Sequence, residues 1–248
     1  MTLPSITNKQ QEILRLLYRF RFLHRIQIQK LLKHKDYKTI NLWLKDLTQK
    51  NYITRNYENT FQKRNKPAQY HIAKNGIKYF KINSIYEKKH LTKFYKESKI
   101  TETFRNRCMF IADIYLQIIK HDNNVTFFTQ SDFPTDGVIR DIMPSFGFIK
   151  EKVNNKYVHI VELFHEKQPR FFLRSRIKTY IEFFEDEVNT IIMFICPSDK
   201  VQKYITKFTE NLLSDETFLH IPILITTEDK IENFGWHTDI WSQLQSKE

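Results

Sequence analysis

The sequence predicts an α+β protein of two parts: a basic, mainly helical first half and an α/β second half with a mixed sheet. Charge divides the chain in the same way, because residues 1–99 contain 23 Lys and Arg against 6 Asp and Glu, whereas residues 100–248 contain 17 against 22. Apolar residues of the first half recur at helical spacing, whereas β-rich runs alternate with helical stretches in the second half. A net charge of +17 on the first half indicates a polyanionic partner.

The composition excludes several classes of protein. A hydrophobic fraction of 41% over 248 residues is enough for a buried core, which excludes global disorder, and only 4 Gly leave no room for a glycine-rich phosphate loop. The sequence shows no apolar run near the ~20 residues of a membrane span and no secretory signal. Cys108 and Cys196 lie in apolar stretches, so we expect two core thiols of a cytoplasmic protein with no membrane association.

Three helices are expected before residue 51. Thr7 and Gln10 form a capping-box pattern at the start of a first helix over residues 8–20. Asp36 is the expected N-cap of a third helix that ends near Lys50. A second, short helix lies between them, with an apolar face formed by Ile26, Ile28, Leu31 and Leu32. The buried stripe of the third helix is predicted to be Ile40, Trp43, Leu44 and Leu47, at i, i+3, i+4 and i+7.

A β-hairpin is expected after the third helix. Its strands cover residues 52–56 and 69–72, a basic tip occupies residues 62–66, and a closing helix begins near Lys74. Three helices followed by a basic hairpin is the element order of a winged helix-turn-helix, and the run LKDLTQKNYITR from Leu44 to Arg55 is typical of the exit from its recognition helix. We therefore expect a winged-helix DNA-binding domain over residues 1–82.

The candidate DNA contacts lie on the third helix and on the tip of the hairpin. In such a domain the third helix enters the major groove while cations of the wing reach phosphates. The helix face opposite the core contains Tyr37, Lys38, Asn41, Leu42 and Lys45, and the wing contributes Lys63, Arg64 and Lys66. Asn41 is the candidate for a hydrogen bond to a base edge. The cations are expected to contact the DNA phosphates, which positions the protein without specifying the DNA sequence. Two alternatives remain open: a winged helix that docks a protein, and a solvated lysine-rich surface.

A helical connector is expected over residues 83–121, followed by an α/β domain over residues 122–248. A clean helical period runs from about Glu102 to His121. Strands are then predicted over residues 125–129, 142–149, 157–164, 190–196 and 221–226, with helices over 171–184 and 199–213. The closely spaced aromatic residues after position 233 are expected to close the domain.

This order of elements resembles the replication-relaxation family of mobile-element proteins, in which a winged helix and a long helix precede a domain like the PD-(D/E)xK nucleases. The matching segments are IMPSFGFI at 142–149, VHIVELF at 158–164 and RIKTYIEFF at 176–184. The resemblance implies a nuclease-like second domain and a role at an origin of replication or transfer. It also implies that Glu162, Lys178 and Tyr180 occupy positions of the family's site.

The acidic positions depart from that pattern. Ser145 stands where the family has Asp, and Phe164 stands two residues after Glu162 in place of a second Asp. Cleavage needs at least two carboxylates around Mg²⁺. If the domain were a nuclease, Asp136 or Asp141 would have to complete the site. We therefore expect a nuclease-like fold without metal-dependent cleavage, without a metal and without a cofactor, in which Glu162 and a nearby helix Lys form a structural ion pair.

The predicted function is duplex DNA binding as a non-enzymatic accessory to plasmid replication or conjugative transfer. A relaxase, a replication initiator or a second copy of the chain is the expected protein partner. Two alternatives are a metal-dependent nuclease using Glu162, Lys178 and Asp136 or Asp141 with Mg²⁺, and a winged-helix transcription regulator. Arg170, Arg174 and Lys178 recur at i, i+4 and i+8; they either extend the DNA-binding surface or form a solvated helix face.

Overall fold

The structure is a computed structural model. It describes residues 2–57, 66–122, 124–133, 142–152, 155–184, 189–214 and 222–244. The chain is a mixed α and β protein that divides into two compact units, residues 1–116 and residues 117–248. Among the described residues, no helix combines the length and the apolar character that a membrane span requires.

The first unit begins with alternating helices and short strands. In chain order these are α1 Asn8–Phe20, β1 Leu23–His24, α2 Arg25–Leu31, α3 Tyr37–Gln49, β2 Ile53–Asn56, β3 Gln69–Ile72 and α4 Lys74–Ile82. Strand β3 pairs antiparallel with both neighbours, so the described strands form a sheet in the order β1-β3-β2. The predicted helices and hairpin strands of this segment are confirmed.

Local signals fix the starts of α1 and α3. The Thr7 hydroxyl accepts from the backbone N–H of Gln10, and the Gln10 side chain accepts from the backbone N–H of Thr7, which is the predicted capping box. Asp36 caps α3 by accepting from the backbone N–H groups of Lys38 and Thr39. Both caps satisfy N–H groups that a helix start leaves without an internal partner.

The apolar face predicted for α2 is wrong at its first position. Ile26 is 40% exposed, whereas Gln27 is fully buried. The Gln27 amide donates to the carbonyl of Met109 at 2.8 Å and its side-chain oxygen accepts from the His24 N–H, so the buried polar group is satisfied. In α3, Ile40, Leu44 and Leu47 are buried as predicted, but Trp43 is only half-buried.

Helix α4 packs closely on the chain that leaves α3. A Cβ atom at Gly76 would lie 2.5 Å from the Tyr52 carbonyl oxygen and 2.9 Å from Cγ2 of Ile72. The Tyr52 carbonyl accepts from the backbone N–H of Ala73, which starts the helix against this strand. Glycine is therefore the residue that this close approach requires.

Residues after α4 pack into the first unit. They form α5 Lys88–Leu91, a 3₁₀ helix Thr92–Lys99 and α6 Glu102–His121, and the division between the two units falls within α6. Leu91, Phe94 and Glu97 are buried. Tyr18 of α1 stacks against Phe94 with ring centroids 5.3 Å apart. The segment predicted as a helical connector thus contributes core residues.

The second unit contains a mixed sheet. Its elements are β4 Val125–Thr129, β5 Phe146–Lys152, β6 Asn155–Leu163, α7 Arg170–Phe184, β7 Thr190–Cys196, α8 Asp199–Leu213, β8 Ile223–Thr227, α9 Glu228–Phe234, a 3₁₀ helix Thr238–Ile240 and β9 Ser242–Leu244. Six described strands follow the order β4-β5-β6-β7-β8-β9. The predicted mixed sheet is confirmed; strand β5 starts four residues later than expected, at Phe146.

The pairing directions explain where the helices lie. Strands β6, β7 and β8 are parallel, whereas β4, β5 and β9 pair antiparallel with their neighbours. Parallel neighbours need crossover connections, and α7 and α8 supply them. Both helices pack on a common core with these strands, and that core includes Leu173, Ile177, Ile181, Phe194, Ile205 and Ile225.

The chain end closes this unit in part as predicted. Trp236 and Ile240 are buried, and the rings of Trp236 and Trp241 meet edge to face with centroids 5.0 Å apart. Phe234, in contrast, is 66% exposed. The predicted core thiols are confirmed, because Cys108 and Cys196 are both buried and free.

Candidate nucleic-acid interface

Helix α3 has one buried face and one exposed face. Ile40, Leu44 and Leu47 fix the buried face, with relative exposures of 1% or less. The five residues predicted to contact DNA all lie exposed: Tyr37, Lys38, Asn41, Leu42 and Lys45. Tyr37 is 51% exposed and Leu42 is 66% exposed. The helix therefore presents a surface that combines two cations, an amide and two large apolar groups.

The turn before α3 is held by side chains. The Gln29 amide donates to the carbonyls of His34 and Lys35, both at 3.2 Å. Hydrogen bonds from the Thr39 hydroxyl and from the backbone N–H groups of Lys38 and Thr39 lower the pKa of Asp36. A charged carboxylate at the N-terminus of α3 favours the helix through its dipole. The start of the exposed face is thus fixed in position.

A groove lies between the outer side of α3 and the N-terminal segment. Its volume is about 650 Å³, and its lining includes Ser5, Ile6, Leu42, Trp43, Lys45 and Gln49. The Lys50 ammonium donates to the Ser5 carbonyl at 2.9 Å and to Asp46 at 2.8 Å. Hydrogen bonds from Lys50 and Gln10 lower the pKa of Asp46. These contacts hold the N-terminal segment beside α3.

The residues predicted for the wing are only partly described. Lys63 and Arg64 lie outside the described residues. Lys66 precedes β3, and its ammonium lies 3.3 Å from the carboxylate of Glu102, with both side chains more than 40% exposed. An exposed pair of this kind contributes little to stability. Replacing Glu102 by another anion as the partner of Lys66 would therefore change the folding free energy only slightly.

Glu162 lies at the carboxyl end of β6, and two side chains of α7 donate hydrogen bonds to its carboxylate. Its carboxylate accepts from Arg176 at 3.0 Å and from the Tyr180 hydroxyl at 2.7 Å. Arg176 also donates to the Met143 carbonyl at 2.7 Å. Burial opposes the charge of Arg176, but Glu162 and Tyr180 raise its pKa. Glu162 and Arg176 thus form a charged pair shielded from solvent.

Ser145 and Phe164, the two positions at which the sequence departs from the expected nuclease-like pattern, lie close to Glu162. Ser145 is buried, and its hydroxyl accepts from the backbone N–H of Leu163 at 2.7 Å. Phe164 is buried against Phe194, with ring centroids 5.4 Å apart. Both side chains therefore take part in the packing of the unit.

Of the other residues predicted for a nuclease site, Lys178 is described, and no contact described here joins it to Glu162. Lys178 is exposed on α7, and Asp136 and Asp141 lie outside the described residues. The ion pair that the structure describes at Glu162 is with Arg176, two residues before Lys178. Within the described ranges, no three His, Cys, Asp or Glu side chains converge as metal ligands would.

Arg170 and Arg174 project from α7 towards α8. The guanidinium carbon of Arg170 lies 5.0 Å from the ring centroid of Tyr204. Arg174 lies 5.8 Å from Tyr204 and 5.4 Å from Phe208, and its Nε donates to the Tyr204 hydroxyl at 2.7 Å. Both arginines are exposed, so aromatic contacts orient their charges without burying them.

The comparisons with known proteins give no match. No protein-family model, no curated protein and no solved structure matches this sequence.

Two features of these surfaces escaped sequence reasoning. The sequence does not identify Arg176 as the partner of Glu162, although Arg176 directly precedes the buried Ile177 of α7. The contacts of the α8 aromatic residues with the arginines of α7 are not predicted either. Their spacing, Tyr204 to Phe208 at i and i+4, is a signal for a shared helix face.

Proposed function

We propose that this protein binds duplex DNA through the exposed face of α3, in a winged-helix arrangement. The observation that carries the proposal is the exposure of Tyr37, Lys38, Asn41, Leu42 and Lys45 on one helix whose opposite face is buried. A helix of this kind fits the major groove, where its side chains reach base edges and flanking phosphates.

The chemistry of the face suits this role. Lys38 and Lys45 are placed to neutralise phosphates, and the Asn41 amide can bond to the acceptor and donor edge of adenine. Leu42 is 66% exposed and can make an apolar contact with a thymine methyl group. Residues 1–99 carry a net charge of +17. This charge attracts the negatively charged DNA duplex at long range.

The second unit, in this proposal, has a nuclease-like fold without metal-dependent cleavage. Support comes from Glu162, whose carboxylate is already engaged by Arg176 and Tyr180. Ser145 and Phe164 offer no carboxylate beside it and are both buried. A divalent cation binds through several anionic oxygens, and it would have to compete with Arg176 for Glu162.

The biological role that we propose is accessory to replication or transfer of a mobile element. It follows from the resemblance in element order, with a relaxase or a replication initiator as the protein partner. Mapping the bound sites on the host replicon by footprinting tests this role. Sites at an origin support it, whereas sites confined to promoters would favour a transcription regulator.

The test of DNA binding uses the full chain and a fluorescent duplex. We expect affinity to fall about a hundredfold or more between 50 and 200 mM salt. A variant with Lys38→Gln and Lys45→Gln should reduce the slope of log affinity against log salt by about 2, since about 0.9 is lost for each phosphate contact. The matched control is Lys88→Gln with Lys89→Gln, two exposed lysines outside α3.

Three outcomes would contradict the proposal. Binding that ignores salt, or equal losses for the α3 variant and its control, would show that α3 is not the contact surface. For the second unit, nicking of supercoiled plasmid in Mn²⁺ by the wild-type chain, abolished by Glu162→Gln, would show that it is a nuclease.

A further inference from the structure

The acidic second half of the chain concentrates its cations on two helices. Helices α7 and α8 contain seven Lys and Arg against three Asp and Glu, although residues 100–248 as a whole carry 17 against 22. Six of the seven are exposed, and the seventh is Arg176, which pairs with Glu162. Both helices pack on one core with the parallel strands. Their outer side is therefore a basic patch on a unit whose net charge is negative.

Helix α7 adds an exposed aromatic ring to this patch. Phe171, Arg174 and Lys178 recur at i, i+3 and i+7, so they share one side of the helix. Phe171 is 75% exposed, and Arg174 and Lys178 are exposed as well. A large ring left in solvent between cations is a feature that core packing does not explain.

Helix α8 supports the arginines and extends the charge. The rings of Tyr204 and Phe208 are half-buried, and they contact the guanidinium groups of Arg170 and Arg174 as described above. Lys203 and Lys207 are exposed one turn apart on α8. The aromatic contacts already restrict rotation of the arginine side chains. Binding an anion there therefore loses less side-chain conformational entropy than binding it at an arginine without such contacts.

We infer that this face of α7 and α8 binds single-stranded DNA. Cations that follow the backbone, together with exposed rings on which bases stack, are the combination that single-strand-binding surfaces use. The bases of a duplex are stacked inside it, so Phe171 would have no partner there, whereas unpaired bases present their faces. The patch uses no residue of α3, so it gives the protein a second nucleic-acid site of a different class.

The acidic residues of the two helices lie towards the edges of the patch. Glu182 comes one turn after Lys178 near the end of α7, and Asp199 and Glu210 lie in the first and last turns of α8. These acidic residues mark the limits of the surface on which we place the single-stranded DNA, between Phe171 and Lys207. A single strand of several nucleotides matches the site sizes of such surfaces.

The experiment measures binding of the full chain to fluorescein-labelled dT20 and, separately, to a labelled 20-bp duplex. The charge variant combines Lys178→Gln, Lys203→Gln and Lys207→Gln. We expect it to lose about tenfold or more in affinity for dT20 and to flatten the salt slope by about 2, because each single-strand phosphate contact contributes about 0.7. Duplex affinity should stay within twofold.

The stacking variant is Phe171→Ala, which should weaken dT20 about tenfold and leave the duplex unaffected. A charge-matched control removes three lysines of the same unit that lie outside α7 and α8: Lys120→Gln, Lys156→Gln and Lys230→Gln. Circular dichroism confirms that each variant is folded.

Three results would overturn the inference: unchanged dT20 affinity in the charge variant or in Phe171→Ala, equal losses in the charge variant and its control, or equal losses for dT20 and duplex. Conversely, a variant with Lys38→Gln and Lys45→Gln should lose duplex affinity alone, so failure of the α3 site and failure of this patch give distinguishable results.

Discussion

Arg21 and Glu97 form an ion pair inside the first unit, with the arginine Nε donating to the carboxylate at 2.8 Å. The Glu97 side chain has no solvent exposure, and that of Arg21 is 14% exposed. Arg21 has a φ of 66°, a conformation that residues other than glycine seldom adopt. Its guanidinium carbon also lies 4.5 Å from the centroid of the Phe104 ring. The end of α1 is thus fixed by residues 76 and 83 positions later in the chain.

Removing the charge of Glu97 should therefore destabilise the protein strongly. Burial raises the pKa of Glu97, and Arg21 opposes this effect. In Glu97→Gln the Arg21 charge remains in a mostly buried place without its counter-ion, so we expect a loss of about 3 kcal/mol in the free energy of unfolding by urea. The control is Glu87→Gln at the exposed Lys89–Glu87 pair, 3.1 Å apart, where the loss should be below about 1 kcal/mol. Equal small losses would contradict the prediction.

The same contacts set the size of the smallest folded fragment. A fragment of residues 1–82 lacks Glu97 and also the Met109 carbonyl that accepts from the buried Gln27 amide. A fragment of residues 1–121 retains both partners. We expect cooperative thermal unfolding of the longer fragment and a much lower or non-cooperative transition for the shorter one. Coincident melting curves would show that residues 83–121 do not stabilise the rest of the first unit.

These long-range partners explain what the sequence can and cannot predict about the fold. Helices α1 and α3 are specified locally, by caps at Thr7 and Asp36 and by apolar residues at helical spacing. The burial of Gln27 is different, because its partner Met109 lies 82 positions away and is a backbone carbonyl that carries no sequence signal. A polar residue beside Ile26 and Ile28 is read as exposed from periodicity alone.

The candidate site shows the same division. The exposed face of α3 follows from the positions of Ile40, Leu44 and Leu47, since the rest of an amphipathic helix must face solvent. The partner of Glu162 does not follow in this way. Arg176 and Lys178 are separated by about 200° around α7, and only the packing of α7 on the sheet determines that Arg176 reaches the carboxylate.

Reading a base and holding a backbone should be separable on α3. After selection of a preferred duplex from a random pool, Asn41→Ala should weaken that duplex about tenfold or more and a scrambled duplex far less, since a bidentate base contact is worth about 1–3 kcal/mol. Lys38→Gln should weaken both duplexes alike. Fluorescence anisotropy at one fixed salt concentration gives the four ratios. Equal ratios for the two variants would mean that α3 does not read bases.

Stability of the first unit should fall in mild acid because of His71. Burial and the nearby Arg105 lower the pKa of His71 from 6.5 to about 4. The unfolded chain therefore binds a proton that the folded chain does not, so the stabilisation is complete above pH 6.5 and is lost as the pH falls towards 4. The difference corresponds to roughly 3 kcal/mol.

Urea unfolding at several pH values measures this loss. In His71→Gln the slope of stability against pH between 6.5 and 4 should be shallower than in the wild type. His24, whose pKa burial also lowers, retains its share of the slope. The control is His121→Gln, at an exposed imidazole, which should preserve the wild-type slope. An unchanged slope in His71→Gln would contradict the assignment.

The pair of Glu162 and Arg176 should be structural, and its removal should reduce stability. In Glu162→Gln the Arg176 charge, 17% exposed, loses its counter-ion, and the buried Tyr180 hydroxyl loses a charged acceptor. We expect a loss of about 3 kcal/mol in the free energy of unfolding. Tyr180→Phe removes the hydrogen bond that the hydroxyl donates to Glu162 and the one that it accepts from Arg176 at 3.3 Å, and it should lose about 2 kcal/mol. Lys178→Gln, exposed on the same helix, should change stability by less than about 0.5 kcal/mol. If Glu162→Gln instead stabilised the protein, the wild-type carboxylate would destabilise the fold, as residues of active sites often do. That result would contradict a structural role for the pair.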